Sequence, residues 1–547
     1  MSHKKPQNGK ERDAAVFELY EQLVEIEERL IPTGLHVFGR ASNAGEKTDL
    51  LKMIASFDRP EAGVRALPGE LVDEAVREFV AHGEDAAVAR LEQKGLSAEA
   101  ARPVFGLLET VSTKLQTNNE LDSLVRALRG EFIEPGPGAD IVQNPDILPT
   151  GRNTHAVNPY GVPSAAAFTR SETVATSLLD RYKKENGHYP EAMGLVLWGL
   201  DNIKTQGEGV AQALWLLGVR PVRDALNRTT SVEAIPLAQL GRPRIDVVMT
   251  VSGIFRDVFS PTVQLLDKAV RLVAHLDEPL EQNYVRKHVL EQVTQESCDP
   301  DDAAVRVFSN APGNYGTNVN FMVMDSQWER EETLGDLFVT RKCFAYGRDS
   351  QGRAIEGREA RVAMDRALAR VEATYQNIDT FEIGLTDVDH YFEYLGGISK
   401  AVEKRAQARP AIYLSDSLSR EVKIRSLEET VRLETRAKTL NPKWYEGMLK
   451  HGFRGVAEIE NHVSNTFGWS ATADAVDDWI YSEVANTFLF DESMLDRLRD
   501  LNPHSAHSLV QRLLEANGRG YWDTDRDVLE KLHEISRSLE DQVEGVT

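Results

Sequence analysis

Two predominantly apolar runs constrain the fold of this chain most strongly. Met193–Gly199 reads MGLVLWG, and Ile245–Val251 reads IDVVMTV. Each run is followed by a polar or glycine-containing segment, which we predict as a loop over Asp201–Glu208 and over Ser252–Phe259. An apolar helical pattern comes after each loop. Continuous apolar strands joined through helices are typical of a parallel sheet covered on both faces. We therefore predict an α/β fold with a parallel-sheet core.

Mostly helical regions flank this core in the sequence. Apolar residues recur at three- and four-residue spacings over 14–30, 70–95, 97–115 and 120–130, which indicates amphipathic helices. The same pattern predicts one helix through Val422, Leu427, Val431 and Leu440, and a final helix over 528–539. The predicted division is a mostly helical region at 1–133, a turn-rich loop with a connecting helix at 134–190, an α/β core at 191–420 and a helical carboxyl-terminal region at 421–547.

Charge and cysteine content restrict the class of protein. The chain carries 63 basic and 86 acidic residues, for a net charge of -23, so phosphate backbones and anionic lipid surfaces repel it. The longest apolar stretches are far shorter than the roughly 18 residues that a bilayer span needs. Cys298 and Cys343 form no CxxC pair, and residues 1–13 lead into no apolar signal segment. We expect a cytoplasmic protein without nucleic-acid partners or a membrane span.

Two glycine-containing segments resemble nucleotide-binding motifs but depart from the residue spacing or composition that those motifs require. Gly39–Thr48 has five residues between its glycines and a Glu before the Lys, whereas a Walker A loop has four residues followed by Gly-Lys. Gly207-Glu-Gly209 lacks the third glycine of a dinucleotide fingerprint, and Glu208 would repel a pyrophosphate. We expect the chain itself to bind neither ATP nor NAD.

Charged residues follow both predicted strands of the core. Lys204 and Glu208 come after the first strand, and Arg256 and Asp257 come after the second. Because ligands bind outside the carboxyl ends of parallel strands, we expect these four side chains to meet in one crevice. A carboxylate there can act as a base or hold a hard cation. The alternative is that Glu208 only favours a helix amino terminus and that Arg256–Asp257 is a structural pair.

Three further segments carry candidate side chains, each with an ordinary structural alternative. Asp387, Asp389 and His390 have metal-ligand chemistry within four residues, but Thr386 with Asp389 also fits a capping box. The loop Gly313–Gly316 can present backbone amides to an anion or form a plain turn. The turn-rich stretch 134–163 contains Arg152 and His155, and so long an irregular loop indicates a functional or linker role.

Longer segments are similar to the large subunit of the metal-ion chelatases for tetrapyrroles. They include FIEPGPGADIVQNPDILPTGRNTHAVNP (132–159), VLWGLDNIKTQGEGVAQALWLLGVRPV (196–222), TVSGIFRDVF (250–259), RVFSNAPGNYGTNVN (306–320) and LTDVDHYFEYLGG (385–397). The carboxyl-terminal motifs resemble the magnesium branch more than the cobaltochelatase branch: VRLETRAKTLNPKWYEGM (431–448), SNTFGWSAT (464–472) and LLEANGRGYWDT (513–524).

The resemblance implies insertion of Mg²⁺ into protoporphyrin IX, on the route to chlorophyll or bacteriochlorophyll in a photosynthetic organism. It implies AAA+-type ATPase partner subunits that use the ATP. Members of this family are more than twice as long, so it also implies a separate amino-terminal half, or a shortened or fragmentary chain. The residues it points to are His155 and Glu208 as proton acceptors, Arg152, Lys204, Arg256, Asn314 and Tyr315 for the porphyrin, and Glu208, Asp257, Asp387, Asp389 and His390 for the metal.

Two alternatives stay open on the sequence. A shortened homologue can bind porphyrin or Mg-porphyrin as a carrier without inserting the metal. A cobaltochelatase-like large subunit would act on a corrin precursor instead.

Overall fold

The computed structural model of the chain describes residues 31, 34–59, 63–138, 140–155, 158–349, 351–380, 382–416 and 422–546, with six further positions between 16 and 26. The helix predicted over 14–30 lies mostly outside these residues. No helix in the described ranges is both long and apolar enough to cross a membrane.

The chain divides into two compact units. The first comprises the described residues up to Gln116, together with Val431–Val463 and the residues from Asp477 onward. Its helices are Ala44–Ala55, Gly69–His82, Glu84–Glu92, Ala98–Lys114, Pro442–Leu449, Asp478–Ala485, Glu492–Leu501, Pro503–Gly518 and Arg526–Glu544, with π-helical turns at Thr435–Thr439 and Asn486–Phe490. The helices Leu427–Glu434 and Phe453–Ala473 belong in part to each unit.

The second unit, Thr117–Thr430 with Ser464–Val476, contains the strands. In chain order they are β1 (Pro135–Pro137), β2 (Asn153–His155), β3 (Ala192–Leu197), β4 (Val219–Arg223), β5 (Thr229–Ala234), β6 (Asp246–Val251), β7 (Val307–Ser309), β8 (Phe344–Arg348), β9 (Ala354–Glu359), β10 (Val371–Ile378), β11 (Ala411–Asp416) and β12 (Lys423–Ser426). Eight of them form one sheet in the order β12-β11-β10-β3-β6-β7-β8-β9. The five inner strands from β11 to β7 are parallel, and β12, β8 and β9 add antiparallel edges.

The predicted α/β fold with a parallel-sheet core is therefore confirmed. All six residues of β3 and all six of β6 are buried, and the two strands pair from Ala192↔Asp246 to Leu197↔Val251. The helices of this unit are Glu120–Leu128, Ala165–Asn186, Gly199–Lys204, Glu208–Leu217, Leu237–Leu240, Gly253–Val258, Ser260–Ala274, Tyr284–Glu296, Pro300–Ala303, Val319–Met324, Glu332–Lys342, Arg361–Leu368, Asp389–Tyr391 and Gly397–Ala406, with a π-helical turn at Phe392–Gly396.

The two segments predicted as loops after β3 and β6 contain short helices instead. Gly199–Lys204 is helical, so the predicted loop over Asp201–Glu208 is reduced to Thr205–Gly207. Gly253–Val258 replaces most of the loop predicted over Ser252–Phe259. The Ser252 hydroxyl explains both helices, because it accepts hydrogen bonds from the N–H of Phe255 (3.1 Å) and of Gly199 (3.2 Å) and so caps them together.

The helix predicted through Val422 begins later than the pattern indicated. Residues Lys423–Ser426 form the edge strand β12, which pairs antiparallel with β11, and the helix starts at Leu427. The apolar spacing from Leu427 onward is helical, but pairing with β11 holds the residues before it in a strand.

A fully paired ionic network fixes the amino ends of β3 and β6. Asp246 accepts hydrogen bonds from Arg306 Nε (2.9 Å) and from His288 Nδ1 (2.9 Å), and all three side chains are buried. His288 Nε2 lies 3.1 Å from Glu191 Oε2. Burial alone would raise the pKa of Asp246, but the charge of Arg306 and the hydrogen bond with His288 outweigh it and hold the pKa far below its usual range. The carboxylate is therefore favoured in the folded state.

We expect Asp246→Asn to lower the free energy of unfolding by about 3–5 kcal/mol, because it leaves the buried Arg306 cation without its counter-charge. Urea denaturation of both proteins measures the difference. Since the pKa of Asp246 is depressed on folding, its contribution is present above the ordinary aspartate pKa of about 3.9 and falls away below it. The matched control is Asp302→Asn, which removes an exposed pair with Arg358 and should cost less than about 1 kcal/mol. Equal losses in the two variants would contradict this account.

Candidate functional site

The strand order singles out one position along the carboxyl ends of the eight-stranded sheet. From β3 the chain proceeds to β6 and β7 on one side, whereas β10 and β11 lie on the other side of β3. The direction of strand addition therefore reverses between β3 and β10. In open α/β sheets, ligands bind outside the carboxyl ends of the strands at such a switch point. The side chains that follow β3 and β10 are therefore the leading candidates for a ligand-binding site.

Polar side chains join β3 to β10 at this point. Trp198, the residue after β3, donates its indole N–H to Gln376 Oε1 at 3.1 Å. Asn377 Nδ2 donates to Asp201 Oδ2 at 3.3 Å, and Lys204 Nζ lies 2.7 Å from Asp379 Oδ2. The helix Gly199–Lys204 positions both Asp201 and Lys204, because it starts directly at the end of β3.

Glu208 extends this group as the first residue of the helix Glu208–Leu217. Its buried carboxylate lies 3.4 Å from Arg170 Nε and accepts a hydrogen bond from Gln212 Nε2 at 3.4 Å. Burial, followed by the negative charges of Asp379 and Glu208, raises the pKa of Asp201 well above its usual range. Three carboxyl groups with two cations thus lie at the switch point, and the raised pKa of Asp201 favours the protonated form of that carboxyl.

Arg256 and Asp257 form a second group after β6. Arg256 Nε lies 2.7 Å from Asp257 Oδ1, and its NH1 donates to the carbonyl oxygens of Ala311 and Asn314, each at 3.0 Å. Tyr315 donates its hydroxyl to Asp257 Oδ2 at 2.6 Å, and its ring centroid is 5.3 Å from the Arg256 guanidinium. The hydrogen bond from Arg256 is the main reason that the pKa of Asp257 is lowered.

The four side chains predicted to share one crevice therefore belong to two groups with different partners. Lys204 and Glu208 belong with Asp201 at the β3–β10 junction, whereas Arg256 and Asp257 hold the loop after β7. Their helices are neighbours, since a Cβ built on Gly199 would lie 2.6 Å from Ile254 Cγ2. The short helices after each strand thus lie side by side, while the charged side chains that they carry have different partners.

His390 and Glu393 form a third group. His390 Nδ1 lies 2.9 Å from Glu393 Oε2, and the buried Glu393 also accepts backbone N–H groups of Thr317 and Asn318. Burial would raise the pKa of Glu393, but the hydrogen bonds from His390 and Thr317 outweigh it and lower the pKa. The hydrogen bond to Glu393 raises the pKa of His390. The two groups are thus held as an ion pair at the turn where Gly316 leads into the next helix.

The predicted metal ligands of this segment have separate hydrogen-bond partners. Asp387 accepts from the N–H of Gly384, Asp389 accepts from Asn320 Nδ2 at 2.6 Å, and His390 pairs with Glu393. In the described ranges, no group of three or more His, Cys, Asp or Glu side chains is arranged to hold a metal ion. The capping-box alternative does not form either, because the helix begins at Asp389 with Val388 as its N-cap residue and without a side-chain cap.

The turn-rich segment predicted to have a functional role lies along the same edge. Gln143 Nε2 donates to the Asp379 carbonyl at 2.6 Å, and Thr380 donates its hydroxyl to Asp140 Oδ2. At the other end of the segment, Val162 packs against the backbone of Gly207. A Cβ at position 207 would lie 2.4 Å from Val162 Cγ1, so glycine is the residue that fits there. The segment thus runs from the carboxyl end of β10 to the residue before Glu208.

Within this segment, β1 and β2 form a short parallel pair in which Pro137 is opposite His155. Arg152 is exposed, and its Cδ lies 3.0 Å from where a Cβ on Gly136 would be. The backbone of His155 is in β2, but its side chain lies outside the described part of the chain. Arg152 is therefore the exposed cation that this segment presents.

Sequence reasoning missed a buried lysine at the centre of the edge. Lys342 Nζ donates to the carbonyl of Val251 (3.0 Å) and to Asn310 Oδ1 (2.9 Å), and it lies 4.1 Å from the centroid of the Tyr394 ring. Tyr394 in turn packs on Trp198 with ring centroids 4.5 Å apart. Burial lowers the pKa of Lys342 well below its usual range. This side chain links the ends of β6 and β7 to the π-helical turn that carries Glu393.

Asp201, Asn377 and Asp379 were also missed. Asp379 directly follows β10, whose sequence VEATYQNI contains the polar residues Glu372, Thr374, Gln376 and Asn377 and so lacks the apolar run of a buried strand. The sequence signal available for β10 was its content of β-branched and aromatic residues in a short segment before a turn.

The fold is that of an α/β protein, and its candidate functional groups lie at the carboxyl ends of parallel strands. The family model CobN/Magnesium Chelatase matches residues 1–529. The chain is 44% identical to the chloroplastic magnesium-chelatase protein ChlH of Oryza sativa subsp. indica, over 98% of this chain and 43% of that protein. It is 44% identical to the magnesium-chelatase H protein of Cereibacter sphaeroides, over 80% of this chain and 36% of that protein.

A solved structure of a related protein is similar to this chain over nearly its whole length. The catalytic subunit of cobaltochelatase from Mycobacterium tuberculosis matches with a TM-score of 0.92 at 33% identity, over 98% of this chain and 47% of that one. The chain belongs to the CobN/magnesium chelatase family, which confirms the resemblance seen in the sequence. It spans less than half the length of each of these three relatives.

We expect Glu393→Gln to return the pKa of His390 towards the ordinary histidine value of about 6.5, because the acceptor that favours the imidazolium loses its charge. NMR titration of the His390 ring measures the change. With the pair intact, its stabilisation is greatest between the two pKa values and weakens as pH rises through the raised pKa of His390. Glu331→Gln, which alters an ion pair with Lys400, is the control and should leave the His390 titration unchanged. An unaltered His390 pKa in Glu393→Gln would contradict the pairing.

Proposed function

We propose that this chain is the porphyrin-binding, carboxyl-terminal part of the large subunit of an ATP-dependent magnesium chelatase. The reaction inserts Mg²⁺ into protoporphyrin IX on the route to chlorophyll or bacteriochlorophyll. The observation that carries the proposal is the identity to proteins named magnesium-chelatase subunits, 44% over 98% of the chain. The carboxyl-edge groups supply the acid–base chemistry that such a reaction needs.

Metal insertion makes two chemical demands that this edge meets. The macrocycle must release two pyrrole protons, and Mg²⁺ must lose tightly held waters. In our proposal Glu208 accepts a proton, because its carboxylate is buried at the switch point, close enough to Asp201 that its negative charge helps to raise the pKa of that group. His155, in β2 at the same edge, is the second proposed acceptor. The exposed part of Asp257 is the proposed escort for the cation.

The propionate groups of the porphyrin need cations. Arg152 is the exposed candidate, whereas Lys204 is already paired with Asp379. The donors of Arg256 are engaged by Asp257 and by loop carbonyls, so we propose that Arg256 fixes Asn314 and Tyr315 in place rather than binding a propionate directly. Asp387, Asp389 and His390 remain proposed metal contacts only for a rearranged state, because their present partners differ.

The energy source and the remaining partners follow from the same proposal. The sequence lacks a Walker A loop, so ATP hydrolysis falls to separate AAA+-type ATPase subunits. The relatives are more than twice as long, so a second polypeptide supplies the rest of the large subunit or the chain works as part of a longer one.

A cobaltochelatase-type reaction is the second candidate. The observation that favours it is the TM-score of 0.92 with the Mycobacterium tuberculosis cobaltochelatase subunit. Its lower identity of 33% ranks it below magnesium insertion. Reconstitution with ATPase subunits, offering Mg²⁺ with protoporphyrin IX or Co²⁺ with a corrin precursor, separates the two reactions by absorption spectra.

We expect Glu208→Gln to reduce the rate of Mg²⁺ insertion about 100-fold or more while porphyrin affinity stays within about twofold, because loss of a general base affects the chemical step. Insertion is followed by the fluorescence of Mg-porphyrin in the reconstituted system. Glu233→Gln, an exposed residue on β5 paired with Arg220, is the matched control and should retain the full rate. A Glu208→Gln protein with the unsubstituted rate would remove Glu208 from the mechanism.

A further inference from the structure

Two exposed aliphatic side chains occupy equivalent positions beyond neighbouring strands. Leu197 and Val251, the last residues of β3 and β6, are paired in register, and Leu200 and Ile254 each follow three residues later. Leu200 is 57% exposed and Ile254 is 44% exposed. Both residues are the second residue of the short helix that follows their strand, Gly199–Lys204 for Leu200 and Gly253–Val258 for Ile254.

A third apolar side chain joins them through a glycine. A Cβ built on Gly253 would lie 2.2 Å from Tyr315 Cδ1, so the ring of Tyr315 rests directly on the backbone beside Ile254. A Cβ on Gly199, the residue before Leu200, would likewise lie 2.6 Å from Ile254 Cγ2. These two close approaches place Leu200, Ile254 and Tyr315 along one stretch of the carboxyl edge, and we call these three side chains the ledge.

The aromatic part of the ledge is held in place although it is exposed. Tyr315 is 53% exposed, yet its hydroxyl is bound to Asp257 and its ring lies against the Arg256 guanidinium. Fixing an exposed ring in advance lowers the entropy that a ligand would otherwise have to remove. A preorganised aromatic face next to two aliphatic side chains suits a flat, apolar ligand wider than a single ring.

A cation adjoins the ledge. Arg341 donates from NH2 to the Tyr315 carbonyl at 3.3 Å. Its Nε is buried and, within the described part of the chain, has no hydrogen-bond partner. A guanidinium with an unused donor is the usual partner of a carboxylate. The ligand that fits both features is a flat apolar ring system with a carboxylate arm.

We propose that the ledge binds one face of the tetrapyrrole macrocycle and that Arg341 binds a propionate of the same molecule. This inference rests on the proposed function for the choice of occupant. It makes Leu200, Ile254 and Arg341 contact residues for the porphyrin. It also places the face of the macrocycle against the segments that follow β3, β6 and β7, next to the switch-point carboxylates.

The test is a titration of the 547-residue chain with deuteroporphyrin IX, followed by the Soret band and tryptophan quenching. Leu200→Ser and Ile254→Ser should each weaken binding about tenfold, since each removes most of an aliphatic side chain that the bound porphyrin would cover. Leu226→Ser, an exposed leucine (73%) between β4 and β5, is the matched control and should bind as the unsubstituted chain does. All four proteins should melt at the same temperature, because the substituted side chains are exposed.

The Arg341 contact is tested by charge on the ligand. Arg341→Gln should weaken binding of the porphyrin diacid about tenfold and leave binding of its dimethyl ester unchanged. Equal loss for both ligands would overturn the propionate contact.

The outcomes separate the ledge from the proposed function. Porphyrin binding that is equal in the unsubstituted chain and in both ledge variants would overturn the ledge while leaving the chelatase proposal intact. Weakened binding in the ledge variants, together with a reconstituted system that inserts no metal, would uphold the ledge and overturn the chelatase proposal. A change in sedimentation without a change in porphyrin affinity would assign the ledge to a protein partner and overturn it as a porphyrin site.

Discussion

Burial of the inner sheet on both faces is the constraint on which the second unit depends. Every residue of β3 and β6 is buried, so neither strand can present a polar side chain along its length without a partner. The candidate functional groups are therefore sought at the ends of the strands. Strand order then decides between positions along the edge, because ligands of open α/β sheets bind where the order of the strands reverses, which here is between β3 and β10.

The two ends of the sheet carry polar groups of opposite character. At the amino end, Asp246, His288 and Arg306 satisfy one another in a closed network. At the carboxyl end, Gln212 Oε1, Gln376 Nε2 and Asn377 Oδ1 are buried without hydrogen-bond partners among the described residues. Buried polar atoms are paired in the great majority of cases, and exceptions concentrate at functional sites. The contrast supports a structural role for one end and a chemical role for the other.

The sequence predicted those parts of the fold that depend on local pattern. The apolar runs at β3 and β6 predicted the parallel core, and Pro261 marked the helix Ser260–Ala274. The helix Gly199–Lys204 was missed because the segment over Asp201–Glu208 is polar and contains glycine, while the Ser252 hydroxyl that binds the first N–H of the helix comes from 53 residues further along the chain. The different partners of Glu208 and Arg256 were not predicted for the same reason, since each residue lies on a helix whose position depends on long-range contacts.

Lys342 shows most clearly what a sequence pattern cannot supply. Its acceptors, Val251 and Asn310, lie 91 and 32 residues away, so nothing near position 342 indicates a buried ammonium. Removing a charge of this kind from water costs several kcal/mol, and an apolar side chain of similar length would avoid that cost. The lysine nevertheless fixes three things at once: the end of β6, the Asn310 side chain that binds Gly316, and the Tyr394 ring. A cost of that size at the junction of all three is consistent with a site whose geometry matters more than its stability, because the loop it anchors carries Tyr315 and faces Glu393.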